Sequence, residues 1–164
     1  MKDMKFSDTH QWVSPHDEEV AYIGISDYAQ ESLGDIIYID TPSIGAKFKA
    51  GEQCGTIESV KTASDLFMPI DGEVIEINGL LSDQPELIND KPYETWIFKA
   101  KMLDPRQVGT LKNEKQYVMF VRICKYFKND GDVHENQINN YCKTVVDCGA
   151  RFAFEIFFVT AVRA

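Results

Sequence analysis

Gly55-Thr56-Ile57-Glu58-Ser59-Val60-Lys61-Thr62-Ala63-Ser64-Asp65 is the stretch on which the reading of this chain turns. Before it, Gln53 to Glu58 alternates as a strand does. After it, Leu66 to Ile77 does the same, interrupted by Pro69 and the Asp71-Gly72 turn signal. The stretch therefore reads as a hairpin with Lys61 at its tip. A tight hairpin fixes where its backbone points, while the long flexible stem of a lysine keeps its amine in water. That combination suits a lysine that is covalently loaded better than one acting as a base. Taken alone, a hairpin lysine is an ordinary solubilising residue on an exposed edge, so the surroundings decide.

Working outward, Val20 to Ile25 has strand propensity, and Ser26-Asp27 offers an N-cap for a short helix over Tyr28 to Ser32, stopped at Gly34. Asp35 to Thr41 alternates again, and Gly45 and Gly51 bracket a short strand over 46–50. Glu73 to Asn78 reads as a half-buried strand, Asp83-Gln84-Pro85 as a turn, and Thr95 to Lys101 as a closing strand with Trp96 and Phe98 on one face. Many short strands punctuated by Gly and Pro predict a mainly β fold of two packed antiparallel sheets, a sandwich or flattened barrel. Thr110 to about Phe127 reads as a C-terminal helix capped by Thr110 or Asn113, with Leu111, Lys115, Val118, Val121, Arg122 and Lys125 among its residues. Asn129-Asp130-Gly131-Asp132 is a turn signal opening a polar stretch. Phe152 to Val162 is strand-prone and hazardous if left uncovered. It adds a strand, mediates self-association, is a divergent extension, or stems from a shifted reading frame; the sequence does not choose. The expected organisation is a carrier domain over 1–104, a helical segment over 105–128 and an extension of unknown role over 129–164.

Charge is spread unevenly. Residues 1–104 hold 8 lysines and no arginine against 20 carboxylates, a net of −12, while residues 105–164 are net +3. An acidic first part repels phosphate backbones and argues against nucleic-acid binding there; it suits steering toward basic surfaces on partner enzymes, or simple solubility. No apolar run is long enough to span a bilayer, and Met1 to Lys5 leads into the fold without a secretory signal. The cysteines (Cys54, Cys124, Cys142 and Cys148) form no zinc-like CxxC pair, and His134 does not complete one. Free thiols in a reducing compartment, with no metal, are expected. The expected location is the cytoplasm, with the matrix of a mitochondrion-like organelle as the alternative.

Glu58-Ser59-Val60-Lys61-Thr62-Ala63-Ser64-Asp65 resembles the lipoyl-attachment signature of the glycine cleavage system H protein family. Further blocks resemble the same family in the same order: Thr9-His10-Gln11-Trp12-Val13, Ile23 to Gln30, Leu33-Gly34-Asp35-Ile36, Gly72 to Asn78, Asp83 to Asn89, Pro92-Tyr93 and Trp96-Ile97. They run from about residue 5 to about residue 104. Biotin carrier domains, similar in fold, usually set their lysine between two methionines, whereas Val60 and Thr62 stand here.

The resemblance implies that Lys61 carries lipoic acid through an amide. The arm would visit three enzymes: a pyridoxal-phosphate glycine decarboxylase, a tetrahydrofolate-dependent aminomethyltransferase, and dihydrolipoyl dehydrogenase. The chain would then be a carrier of the aminomethyl intermediate, a protein cosubstrate and not an enzyme. Glu58, Ser59, Val60, Ala63 and Ser64, with Asp65 beside them, would be read by the lipoate-attaching enzyme. Val60 can also be read as strand packing, and Ser64 and Asp65 as satisfying the turn. Thr9, Gln11 and Asp65 would line a cleft that shelters the loaded arm, while His10 and Trp12 are expected to serve structure. The chain departs from the family at Gln11, where Glu is usual, so an amide replaces a carboxylate facing a cationic amine. Two other readings stay open: an H-like relay that passes lipoyl groups to other enzymes, and a non-lipoylated interaction scaffold.

Overall fold

The computed structural model describes residues 3–130. The chain divides into two compact units, residues 1–114 and 115–164. The first unit is built from nine antiparallel strands in two sheets. They are β1 (Lys5–Phe6), β2 (Gln11–Pro15), β3 (Val20–Ile25), β4 (Ile36–Asp40), β5 (Lys47–Phe48), β6 (Gln53–Ser59), β7 (Ala63–Phe67), β8 (Gly72–Ile77) and β9 (Phe98–Met102). One sheet runs β1-β2-β3-β9-β8-β5, the other β4-β6-β7. The core between them takes Val13, Ile23, Ile25, Val74 and Phe98 from the first and Ile39, Ile57 and Leu66 from the second. The expected mainly β fold with two packed antiparallel sheets is the observed one.

Local chemistry explains the connection that leads to the lysine hairpin. Val20–Ile25 forms β3, and Ser26 then caps α1 (Asp27–Leu33), its Oγ accepting from the Ala29 N–H at 3.2 Å. Gly34 ends the helix at φ +81 and ψ −151, a conformation essentially reserved for glycine. In β4 the register slips by one residue between Ile36 and Tyr38, so Ile37 and Tyr38 are both exposed while Ile36 and Ile39 are buried.

Several elements differ from the expectations. The strand after Lys61 begins at Ala63, not Leu66, because 63–65 pair with Thr56, Ile57 and Glu58. β1 and β2 were not foreseen: β2 is almost wholly buried and shows no alternation to read. Around the expected turn at Asp83-Gln84-Pro85 stand two single-turn helices, α2 (Leu80–Asp83) and α3 (Leu87–Asp90). The closing strand starts at Phe98, so Trp96 precedes it. Thr110 closes a 3-10 helix, Pro105–Thr110, which leaves Leu111 outside any helix.

In the second unit, α4 (Glu114–Asp130) starts directly after Asn113 and runs through the residues expected to turn at Asn129-Asp130. Among its described side chains the buried ones are Tyr117, Phe120 and Cys124, one stripe at helical spacing; of the residues named from sequence, Val118 is exposed. The expectations for Gly131 onward, including Phe152 to Val162, fall outside the described residues. No helix among the described residues is long and apolar enough to cross a membrane.

Candidate functional site

Lys61 stands in the middle of the three-residue link Val60-Lys61-Thr62 between β6 and β7, exposed, with Val60 beside it at 68 % exposure. None of the three has a positive φ, so the tip lacks the left-handed residues usual in so short a link. A buried serine compensates. The Ser59 N–H donates to the Thr62 carbonyl at 2.8 Å, its hydroxyl donates to the same oxygen at 3.0 Å, and its Oγ accepts from the Lys61 and Thr62 N–H groups at 3.3 and 3.1 Å. The hydroxyl that holds the turn is therefore that of Ser59, 7 % exposed. Glu58, Ala63, Ser64 and Asp65 are all exposed around it.

The tip leans on the segment that follows α1. The Val60 N–H donates to the Asp35 carbonyl at 3.0 Å. The Lys61 stem passes over Gly34, where a methyl in place of the glycine hydrogen would lie 3.6 Å from Nζ and 3.8 Å from Cδ and Cε. Of the eight lysines from Lys5 to Lys112, six are ion-paired to described residues, and Lys5 and Lys61 are not. Among the described residues, no carboxylate quenches the amine of Lys61.

The outer face of the small sheet is acidic. Cross-strand neighbours Tyr38, Glu58 and Ala63 form one row, and Asp40, Thr56 and Asp65 the next. None of these three carboxylates forms an ion pair among the described residues. Asp65 Oδ1 accepts from Gln53 Nε2 at 2.7 Å.

Thr9 and Gln11 meet at the β1–β2 hairpin. Gln11 is 3 % exposed, and its Oε1 accepts from the Ser7 hydroxyl at 2.8 Å and from the Thr9 hydroxyl. Its N–H donates to Ser7 Oγ at 3.0 Å. Two hydroxyl donors fill both lone pairs of that amide oxygen. His10, at φ +69, turns the chain here, and its carbonyl takes the Ser26 N–H at 2.9 Å. Trp12 is fully buried over Gly24 and donates its indole N–H to the Pro92 carbonyl at 2.9 Å. α1 therefore starts beside the Thr9–Gln11 hairpin and ends under Lys61. Its seven residues span about 10 Å. The structure brings Thr9 and Gln11 together; among the described residues no hydrogen bond joins either to Asp65. Ser7, Gly34 and Asn89 were not singled out from sequence as site residues. Ser7 lies two residues before Thr9, Gly34 read only as a helix stop, and the contacts of Asn89 reach more than fifty residues along the chain.

Elsewhere, Cys54 is buried and free, and burial pushes its thiol up to about 12. Among the described residues no group of three or more His, Cys, Asp or Glu could hold a metal.

Comparison with known proteins gives a consistent result. A family profile described as "Glycine cleavage H-protein" matches residues 4–123. The glycine cleavage system H protein of Vibrio campbellii is 48 % identical over 118 residues, covering 71 % of this chain and 94 % of that protein. The protein of the same name from Clostridioides difficile is 45 % identical over 117 residues, with coverages of 71 % and 94 %. In structure, the chain is similar to a crystal structure of a glycine cleavage system H protein from Mycobacterium marinum. That likeness has a TM-score of 0.64 at 31 % identity, covering 71 % of this chain and 94 % of that one. By its fold, its lysine hairpin and these matches, the chain belongs to the glycine cleavage H-protein family.

Proposed function

We propose that this chain is the lipoyl-bearing carrier of a glycine cleavage system, with Lys61 as the point of attachment. The observation that carries the reading is the exposed amine of Lys61, unpaired among the described residues, on a turn held by Ser59. Lipoate fits this position: the stem is free on its outer side, and nothing buried must be uncovered for an enzyme to reach Nζ. In the loading step Nζ loses a proton and forms an amide with an activated lipoyl carboxyl, whose activating group leaves. Ser59 fixes the turn while Glu58, Val60, Ala63 and Ser64 offer the lipoate-attaching enzyme an exposed surface. Lys61 would hold the lipoyl group, whose dithiolane would supply the redox and one-carbon carrying chemistry shared with glycine decarboxylase, aminomethyltransferase and dihydrolipoyl dehydrogenase.

The chain's own part is to carry and present, not to catalyse. Tethering keeps the arm at high effective concentration near whichever enzyme is docked. The carboxylates Asp40, Glu58 and Asp65 favour partners with basic docking surfaces through long-range steering. Thr9 and Gln11, at the far end of α1 from Lys61, are the polar groups toward which the arm would fold, with Asp65 on the lysine hairpin itself. The cytosol is the proposed compartment. Glycine–bicarbonate exchange with the decarboxylase tests the carrier role: the lipoylated chain supports exchange, and the unmodified chain does not.

One observation favours a second reading, a relay that passes lipoyl groups onward. The amide oxygen of Gln11 is saturated by Ser7 and Thr9, so it has no lone pair left for a cationic amine. Full lipoylation without exchange would select the relay over the carrier.

A further inference from the structure

Asn89 sits on α3 and reaches the segment that supports the lysine hairpin. Its Nδ2 donates to the Gly34 carbonyl at 2.9 Å and to Gln30 Oε1 at 2.9 Å, while its Oδ1 accepts from the Ile36 N–H at 3.0 Å. Both donors and the acceptor are engaged, and only one orientation of the amide works. Reversed, it would set its oxygen against two oxygens and its NH2 against an N–H. α3 is a firm base for this reach, because the neighbouring Ile88 is fully buried and the Leu87 carbonyl takes the Thr95 hydroxyl at 3.0 Å.

The residue clasped between those bonds is Asp35. Asn89 holds the carbonyl on one side of it, at Gly34, and the N–H on the other, at Ile36. Asp35's own carbonyl is the acceptor for the Val60 N–H. The glycine whose carbonyl is held also lies under the Lys61 stem. The path from Asn89 to the tip of the lysine hairpin is therefore two hydrogen bonds and one residue long.

We propose that Asn89 is the positioning residue of the lysine hairpin. It fixes the Gly34–Ile36 shelf on which Val60 and Lys61 rest, so that the lipoate-attaching enzyme meets the amine in a preset place. The functional half of this inference rests on Lys61 being the attachment site; the structural half does not. Small displacements of a reacting group are costly in rate even when the mutated residue is remote from the chemistry. An unclasped shelf therefore slows loading without removing any group the enzyme touches.

The test uses the full chain with Asn89→Ala, and Asn78→Ala as a control of the same kind elsewhere. Asn78 also makes side-chain bonds, Nδ2 to the Trp96 carbonyl at 2.8 Å and Oδ1 from the Leu80 N–H at 3.3 Å, but none to the shelf. Asn89→Ala should speed amide exchange at Val60 about tenfold relative to Ile57, and lower kcat/KM for lipoate attachment about tenfold. Asn78→Ala should lower the melting temperature but leave both readouts unchanged. The proposal is overturned if Val60 exchanges at the wild-type rate in Asn89→Ala. It is equally overturned if both variants slow attachment in proportion to their lost stability. If Asn89→Ala does not fold, Asn89→Ser is read by the same two measurements. If the wild-type chain takes no lipoyl group, the attachment reading fails, and exchange at Val60 alone still decides whether Asn89 holds the hairpin.

Discussion

Gly34 ties the helix end to the lysine hairpin, and replacing it separates backbone strain from crowding. A Cβ at this position would lie 3.6 Å from Lys61 Nζ and 3.8 Å from its Cδ and Cε, ordinary contact distances that demand no movement. The backbone is the obstacle. At φ +81 and ψ −151 an L residue places its Cβ against its own main chain, at a cost of about 1–3 kcal/mol. Gly34→Ala should therefore lower the melting temperature by about 3–10 °C and shift the urea midpoint with an unchanged slope. Asparagine discriminates further. It tolerates the left-handed helical region, where ψ is near +45, but not ψ −151. Gly34→Asn should thus lose about as much as Gly34→Ala. The reasoning is refuted if either variant stays within about 0.5 kcal/mol of the wild type, or if asparagine restores what alanine loses.

Three further outcomes follow from the geometry. Gly24→Ala would push a Cβ into Cζ2 of the buried Trp12, so it should cost about 1–3 kcal/mol by overpacking and change the indole emission; an unperturbed spectrum and stability would contradict the packing. Cys54 titrates near 12 when folded and near its ordinary value of 9 when unfolded, so its contribution to stability is intact below pH 9 and is lost as pH rises toward 12. In a chain whose other cysteines are serine, a thiol reagent at pH 8 should label Cys54 only at the unfolding rate, and labelling as fast as a free thiol would show the burial to be wrong. Gln11→Glu leaves one oxygen for the Ser7 and Thr9 hydroxyls and replaces the Nε2 donor with a second acceptor. It should lengthen the lifetime of the aminomethyl-loaded form, measured by ammonia release, and an unchanged lifetime would remove Gln11 from the cleft.

Legibility in the sequence tracked how local each cause is. β3, the Ser26 cap and the Gly34 stop follow from neighbours within a few residues, so pattern reading placed them well. The lysine hairpin was legible for the same reason. What escaped was set by partners far along the chain. Ala63-Ser64-Asp65 has little strand propensity of its own and is strand because β6 pairs with it. β2 carries Gln11, Trp12, Val13 and Ser14 all buried, which leaves no alternation to detect. α2 and α3 are a single turn each, too short for a helical period to show. At the site, Lys61 stood out by its motif, whereas the work of Ser59, Ser7 and Asn89 is hydrogen bonding that becomes visible only once the backbone is folded.

The central claim is that Lys61, with its exposed amine at the tip of the β6–β7 hairpin, is the residue that is loaded. The direct measurement is the intact mass of the chain co-expressed with a lipoate-attaching enzyme, followed by peptide mapping. The wild-type chain should gain one lipoyl group, mapped to Lys61, and Lys61→Arg should gain none. A wild-type chain that stays unmodified, or a lipoyl group found on any other lysine, would contradict the account.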